Sequence, residues 1–460
     1  MKLSKLARIY EFGGEDKFYY VIRHSILNKS FIFSEEEYEQ LIDSLKSGED
    51  NDVIQELRVN HIIVGNNYKE EKFIDFLKDN YNSNKFSLEI VYLIFNSNCN
   101  LKCKYCYVEK STDPKFSHQS MDEPTFEKTM TCIERIISKA NKKKINFIFY
   151  GSEPLMAKDM ISKSLERISA ACKNTETETE FNITTNGTLF DNQILEIFKK
   201  YKVKVSVSLD GPKEVNDQMR VTQENHGTFE EISSSLEMLN EKEIPFGISC
   251  TIGPHNINTL KENIELFKKM GATSIGFNIL LNARYYKIPQ VPLNKLNDNL
   301  IAASEVARLQ GIYEDRVQRK YRAFHNSIPR LKDCGGVGNQ LVFFPNGDIG
   351  VCEAHLCNRK YEVGTVDDFE LDNIKNNDII KLWTERYPLN MPECTHCPAI
   401  GICGGGCPFN AETRMKNLKK LDKPFCIHTT KILDWLLEKS VSEKTGEKDL
   451  YMRDISFMFQ

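Results

Sequence analysis

The stretch LEIVYLIFNSNCNLKCKYCYVE, residues 88–109, joins an apolar run of strand length to three cysteines, Cys99, Cys103 and Cys106, at the spacing CxxxCxxC. A continuous apolar run reads as a strand buried on both faces. The loop after it lies at the strand end where α/β folds place their chemistry. Three thiolates leave one coordination position of a metal open. Zinc accepts thiolates, but an open zinc site usually mixes in histidine or carboxylate, and this loop offers neither. A [4Fe-4S] cluster wants thiolates and tolerates one unprotected iron.

Outward from this stretch, apolar runs alternate with amphipathic helices five more times. The runs are INFIFYG (145–151), FNITTN (181–186), VKVSVSLDG (203–211), FGISCTIG (246–253) and SIGFNIL (274–280). This is the pattern of an α/β fold with a parallel sheet, and six strands predict a partial (β/α)6 TIM barrel. Thr228 and Glu231 are placed to form a capping box ahead of the helix that begins there. Residues 1–88 instead read as short strands followed by helices, a small α+β module. Beyond about residue 325 cysteine, glycine and proline dominate, as in a domain held by metal more than by an apolar core. The expected divisions are 1–88, 89–324, 325–433 and a tail, 434–460.

The bulk properties agree with this division. A chain of 460 residues, 40% hydrophobic, is long enough for roughly three domains of ~150 residues each. The opening MKLSKLARIYEFGG alternates polar and apolar residues, unlike a signal peptide, and the longest apolar run falls far short of the ~20 residues that cross a bilayer. A cytoplasmic protein without membrane contact is expected. Its fourteen cysteines are then better read as reduced metal ligands than as disulfides. The net charge of -4 and the lack of a basic block beyond NKKK (141–144) argue against nucleic acid. Cys132, Cys172 and Cys250 fall on apolar stripes and read as core.

CxxxCxxC with a following aromatic, at the end of a first strand, resembles the radical S-adenosylmethionine (SAM) enzymes. In that family the amino and carboxylate groups of SAM chelate the open iron. The resemblance extends to YGSEPLM, similar to the family's Gly-Gly-Glu-Pro motif with Ser152 in place of the second glycine. Gly151, Ser152 and Glu153 would approach the methionyl amino group. Ser208 in VSLDGP and Arg220 in NDQMR match residues that hold SAM in peptide-modifying members. Tyr105 and Leu281 would lie against the adenine.

The C-terminal third resembles the SPASM extension of the same family. Cys334, Cys352 and Cys407 would carry one auxiliary [4Fe-4S] cluster, and Cys394, Cys397, Cys403 and Cys426 a second. Cys357 is the nearest unassigned thiol, and either it or a substrate thiol would complete the first cluster. Read without the family, the CxxC pairs fit zinc ribbons equally, which would make the chain a zinc or iron-sulfur protein without catalysis.

Several expectations about activity follow from the resemblance. An electron from a flavodoxin- or ferredoxin-type donor enters the SAM-bound cluster, SAM is cleaved, and hydrogen is abstracted from a substrate carbon. The N-terminal module is similar to winged-helix-like domains that recognise the leader of ribosomally made peptides by pairing it to a sheet edge. A precursor peptide crosslinked through a thioether or carbon-carbon bond is the expected substrate. The alternative is an anaerobic sulfatase maturase making formylglycine, in which an acid directly after the second SPASM cysteine acts as base; Glu353 stands there.

Overall fold

The computed structural model describes residues 1–14, 17–82, 86–139, 144–280 and 291–456. In chain order its strands are β1 (Lys2–Leu3), β2 (Ala7–Gly13), β3 (Phe18–His24), β4 (Lys29–Ser34), β5 (Ile63–Val64), β6 (Ile90–Leu93), β7 (Lys144–Phe149), β8 (Glu178–Thr185), β9 (Lys204–Ser208), β10 (Phe246–Ile252), β11 (Ser274–Ile279), β12 (Tyr313–Glu314), β13 (Gln340–Phe343), β14 (Asp348–Gly350), β15 (Glu362–Thr365) and β16 (Tyr451–Asp454).

The six expected core strands, β6 to β11, lie side by side in sequence order, every pair parallel. Alternate residues face the covering helices. In β7 these are Ile145, Phe147 and Phe149, each fully buried, and they meet Phe126, Ile133 and Ile137 of helix Glu123–Lys139 in one apolar core. Cys132, Cys172 and Cys250 belong to that core. The expected capping box at Thr228 does not form. Its hydroxyl donates to the Arg220 carbonyl (3.1 Å) and accepts from Asn216 (3.2 Å), so it braces the preceding loop instead of the helix.

The sheet does not stop at six strands. β12 adds in parallel beside β11, while β13 adds in parallel beside β6 and continues antiparallel through β14 and β15, giving ten strands. Leu341 of β13 stands opposite Val91 of β6. The cysteine-rich region thus begins as an extension of the core sheet, and Cys334 and Cys352 arrive beside the strand that leads to Cys99. A cysteine pattern carries no information about such pairing, because parallel partners are set by long-range packing.

The N-terminal module is an antiparallel meander, β2-β3-β4, followed by helices Glu35–Ser47, Asp52–Val59 and Glu70–Asn82. The segment expected as a plain tail is part of it. Helix Lys423–Thr445 runs well past residue 434, and β16 then pairs antiparallel with β2, Tyr451 opposite Gly13. A Cβ on Gly13 would stand 2.3 Å from the Tyr451 ring, so only glycine permits this approach. Tyr10, Phe12 and Val21 share an apolar cluster with Ile432, Leu433, Leu436 and Leu450. The order β16-β2-β3-β4 leaves β16 and β4 as the two edges of this sheet among the described residues, and Lys444 Nζ donates to the Ile32 carbonyl on β4 (2.8 Å). Deleting residues 447–460 is expected to lower stability by at least about 2 kcal/mol, the cost of losing the buried Leu450 side chain alone; a thermal melt of the truncated chain checks this.

No helix among the described residues is long and apolar enough to cross a membrane.

Candidate functional site

A cavity of about 630 Å³ opens at the C-terminal ends of the parallel strands. Cys99, Cys103 and Cys106 line it, together with Gly151 and Ser152 after β7, Ser208 at the end of β9, and Arg220 at the C-terminus of helix Lys213–Met219. Cys334, Cys352, Glu353 and Cys407 line the same cavity. The sheet extension at β13 makes this sharing geometrically necessary, since it places the second cysteine group beside the first strand.

Local geometry accounts for each core position. Gly151 has φ +134°, and a Cβ there would meet the Asn96 carbonyl at 2.9 Å, so the backbone turn requires glycine. Ser152 donates its hydroxyl to the Ser97 carbonyl (2.9 Å), tying the second strand's loop to the cysteine loop. Glu153 behaves differently from expectation. It is fully buried, does not line the cavity, and its two oxygens accept from the Leu155 N–H (2.9 Å), the Thr185 hydroxyl (2.7 Å) and the Asn186 N–H (2.7 Å). Three donors of its own loops hold this carboxylate, which ties those loops in register. A methionyl amino group would find the backbone of Gly151 and Ser152 ahead of Glu153. Leu281 lies outside the described residues.

Arg220 is no surface ion pair. Its Nε lies 3.3 Å from Oδ2 of Asp210, and both side chains are buried. Asp210 also accepts from the Tyr105 hydroxyl (2.6 Å) and the Thr251 N–H (3.0 Å), and His255 Nε2 stands 3.5 Å away. Burial alone would raise this carboxyl, but Arg220 and the hydrogen bonds of His255 and Tyr105 hold it below the usual carboxylate range. The Arg220 guanidinium carbon sits 5.5 Å over the Tyr105 ring. Tyr105 lines the cavity with its hydroxyl committed to Asp210, so a nucleoside could reach only its ring or backbone. Reading the sequence for ligands passes over Asp210. The signal was present in VSLDGP, where an acid sits at a buried strand end and therefore needs partners.

All fourteen cysteines are free thiols. Cys334, Cys352 and Cys407 act on one another electrostatically, as do Cys394, Cys397, Cys403 and Cys426. Cys357 joins neither group: it does not line the cavity, its thiol donates to the Ala354 carbonyl (3.5 Å), and its charged neighbour is Arg359. The short helical turn Glu353–Cys357 carries it away from Cys352. Burial pushes Cys99 up to about 12 and Cys103 up to about 11. Such thiols are neutral until a cation displaces the proton.

The donor set fits iron-sulfur clusters. Backbone N–H groups point at sulfur, Leu101 to Cys99 (3.4 Å), Glu109 to Cys106 (3.5 Å) and Gly336 to Cys334 (3.3 Å), the kind of contact that tunes cluster potentials. Among the described residues no three His, Cys, Asp or Glu side chains are gathered closely enough for a single metal ion; a four-iron cube is larger than one ion and holds its thiolates farther apart. A further sign is Arg386, 1% exposed, which among the described residues donates only to the carbonyls of Leu418, Gly405, Gly406 and Lys420. A buried guanidinium without a carboxylate partner calls for another source of negative charge. Besides Asp422, the anionic groups acting on it are Cys407, Cys334 and Cys394, drawn from both auxiliary groups. Cluster-bound thiolates would supply that charge. Replacing Arg386 with Met is expected to lower the reduction potential of the auxiliary clusters, read by redox titration with electron paramagnetic resonance.

Glu353 lines the cavity beside the first auxiliary group and accepts from the Gln340 side chain (3.1 Å). Burial raises its carboxyl above the usual range, which suits a group that takes up a proton.

Comparison with known proteins supports the same assignment. A model of the radical SAM superfamily matches residues 93–279. The chain is 26% identical over 434 residues to the radical SAM cyclopropyl synthase TigE of Paramaledivibacter caminithermalis, covering 89% of this chain and 86% of that protein. It is 24% identical over 333 residues to a cysteine-type anaerobic sulfatase-maturating enzyme of Clostridium perfringens, covering 68% and 86%. Its fold resembles the crystal structure of Streptococcus suis SuiB bound to precursor peptide SuiA, with a TM-score of 0.51 at 14% identity over 92% of this chain and 99% of that one.

Proposed function

Because this chain carries a radical SAM domain, we propose that it acts on a ribosomally made precursor peptide and installs an intramolecular crosslink, by a thioether or a carbon-carbon bond, with SAM and three [4Fe-4S] clusters. The observation that carries the reading is the single cavity lined by both the core triad and Cys334, Cys352 and Cys407. A substrate placed there lies between the group that removes a hydrogen and the group suited to receive an electron. The relatives named as a cyclopropyl synthase and as a precursor-peptide enzyme support a peptide substrate and bond formation on carbon.

Bound SAM with its cluster supplies hydrogen-atom abstraction from an unactivated carbon. The protein's own groups prepare that event. Asp210 holds Arg220, and with Ser208 this arginine would bind the SAM carboxylate. The turn at Gly151 and Ser152 brings backbone to the methionyl end. Glu353 would accept the proton that leaves when the substrate is oxidised. The peptide's leader would pair with the β4 edge, a low-potential flavodoxin or ferredoxin would supply the electron, and a cytoplasmic location suits the free thiols.

The test is reconstitution with SAM, a reductant and a short peptide encoded nearby. Loss of a pair of hydrogens from the peptide mass supports the reading, and an unchanged mass overturns it. Glu353 also favours a second reading, a maturase that oxidises a serine or cysteine to formylglycine, as in the sulfatase-maturating relative. A sulfatase peptide gaining an aldehyde would favour that one. Under either reading, Glu353→Gln is expected to slow product formation by about 10²–10⁴-fold while SAM cleavage continues, measured by following 5′-deoxyadenosine and product in parallel.

A further inference from the structure

Arg316 lies two residues after β12, at the start of helix Asp315–His325, and lines the cavity shared by the two cysteine groups. Its Nε donates to the Phe277 carbonyl at 2.5 Å. That bond fixes the plane of the guanidinium. Among the described residues its two terminal nitrogens find no acceptor and no carboxylate comes within ion-pair distance.

The carboxylates around it are already engaged. Asp333 is bound by Arg330 (2.8 Å) and faces Arg319 (3.8 Å). Asp315 holds Arg319 at 3.0 Å. Glu314 gives one oxygen to the backbone N–H of Arg316 itself (2.6 Å) and the other to that of Val317 (2.9 Å). At the core triad, Arg220 is paired through Nε with Asp210 and faces the place proposed above for the SAM carboxylate. Arg414, another arginine of the lining without an ion pair, is exposed to solvent, whereas Arg316 is half-buried.

A partly desolvated cation without an ion-pair partner is costly: burial pulls the Arg316 pKa below its ordinary value, outweighing the more distant, already engaged Asp333, Glu314 and Asp315 that act to raise it. The arrangement makes sense when a ligand supplies the anion. A planar guanidinium fixed at one nitrogen presents the remaining fork to a carboxylate. In the reading above the carboxylate of SAM would lie beside Ser208 and Arg220, which leaves the substrate as the source of an anion for Arg316. Resting on the peptide reading above, we infer that Arg316 is a subsite for a carboxylate of the substrate, borne close to the reacting residue either on an acidic side chain or at the chain terminus.

The test needs no turnover. The reconstituted enzyme is treated with phenylglyoxal, and modification at Arg316 and Arg319 is followed by peptide mass spectrometry. The probes are N-acetyl-aspartate α-amide for a side-chain carboxylate, N-acetyl-alanine for a terminal one, N-acetyl-asparagine amide as the neutral control, and SAM. Arg316 is expected to react faster than the paired Arg319. A carboxylate probe at about ten times its dissociation constant should slow that reaction roughly tenfold, and the better of the two carboxylates identifies the source. Equal protection by the neutral amide, no protection by either carboxylate, or protection by SAM alone would each overturn the inference, the last by assigning the guanidinium to the cofactor. The outcome is independent of the peptide reading: protection of Arg316 in an enzyme that leaves every precursor unchanged would retain the subsite and remove that reading, and crosslinking with Arg316 unprotected would do the reverse.

Discussion

Replacing Cys103 with Ala is expected to abolish SAM cleavage while leaving the auxiliary iron and the fold in place. The thiol sits between its two partners in the loop after β6, lines the cavity, and lies within the influence of Arg220. Under the proposed function its removal takes one of three ligands from a site with none to spare. Cys394, Cys397, Cys403 and Cys426 form a separate group in another part of the chain, so iron bound there should survive. Iron content should fall by about a third if three like clusters are present, and 5′-deoxyadenosine production should drop below detection. Cys397→Ala gives the contrasting result, with some SAM cleavage retained and product lost. Unimpaired SAM cleavage by the Cys103 variant would remove the core assignment.

Asp210→Ala is expected to destabilise the protein by about 3–5 kcal/mol, the usual cost of leaving one partner of a buried ion pair uncompensated. Arg220 would lose its only carboxylate within ion-pair distance among the described residues, Tyr105 its hydroxyl acceptor, and Thr251 its N–H partner. SAM affinity should fall as well, because Arg220 would no longer be held at the cavity wall. Acid acts on the same group. Its folded pKa lies below the ordinary 3.8, so its contribution is fully present above that value and is lost as pH falls through the lower, folded one. Asp210→Asn should therefore flatten the loss of stability on acidification over that window. Chemical denaturation across a pH series checks both the size and the slope.

Local spacing made much of this site legible. The CxxxCxxC loop and the six apolar runs gave the parallel core because ligand spacing and strand periodicity are properties of neighbouring residues. The two auxiliary cysteine groups were expected for a related reason, since their spacings match a known arrangement, and their assignment to clusters is part of the proposed function. Glu153 shows where such matching stops. Its place in the motif suggested a ligand contact, but its oxygens are taken by donors from β8 and its own turn, which only the folded loops bring together.

By itself, the sequence determined the order of the core strands, the cysteine groups and the presence of a module ahead of them. Each of these is written in residue type at short range. Only the tertiary structure decided that β13 extends the core sheet and puts both cysteine groups on one cavity, that Cys357 turns away from it, and that β16 closes the N-terminal sheet. It also decided that Asp210 fixes Arg220 while, among the described residues, Arg316 is left without an ion-pair partner. Strand partners and charge balance are settled by residues far apart in the chain, where closure entropy and desolvation are weighed over the whole fold, and no local pattern records that outcome.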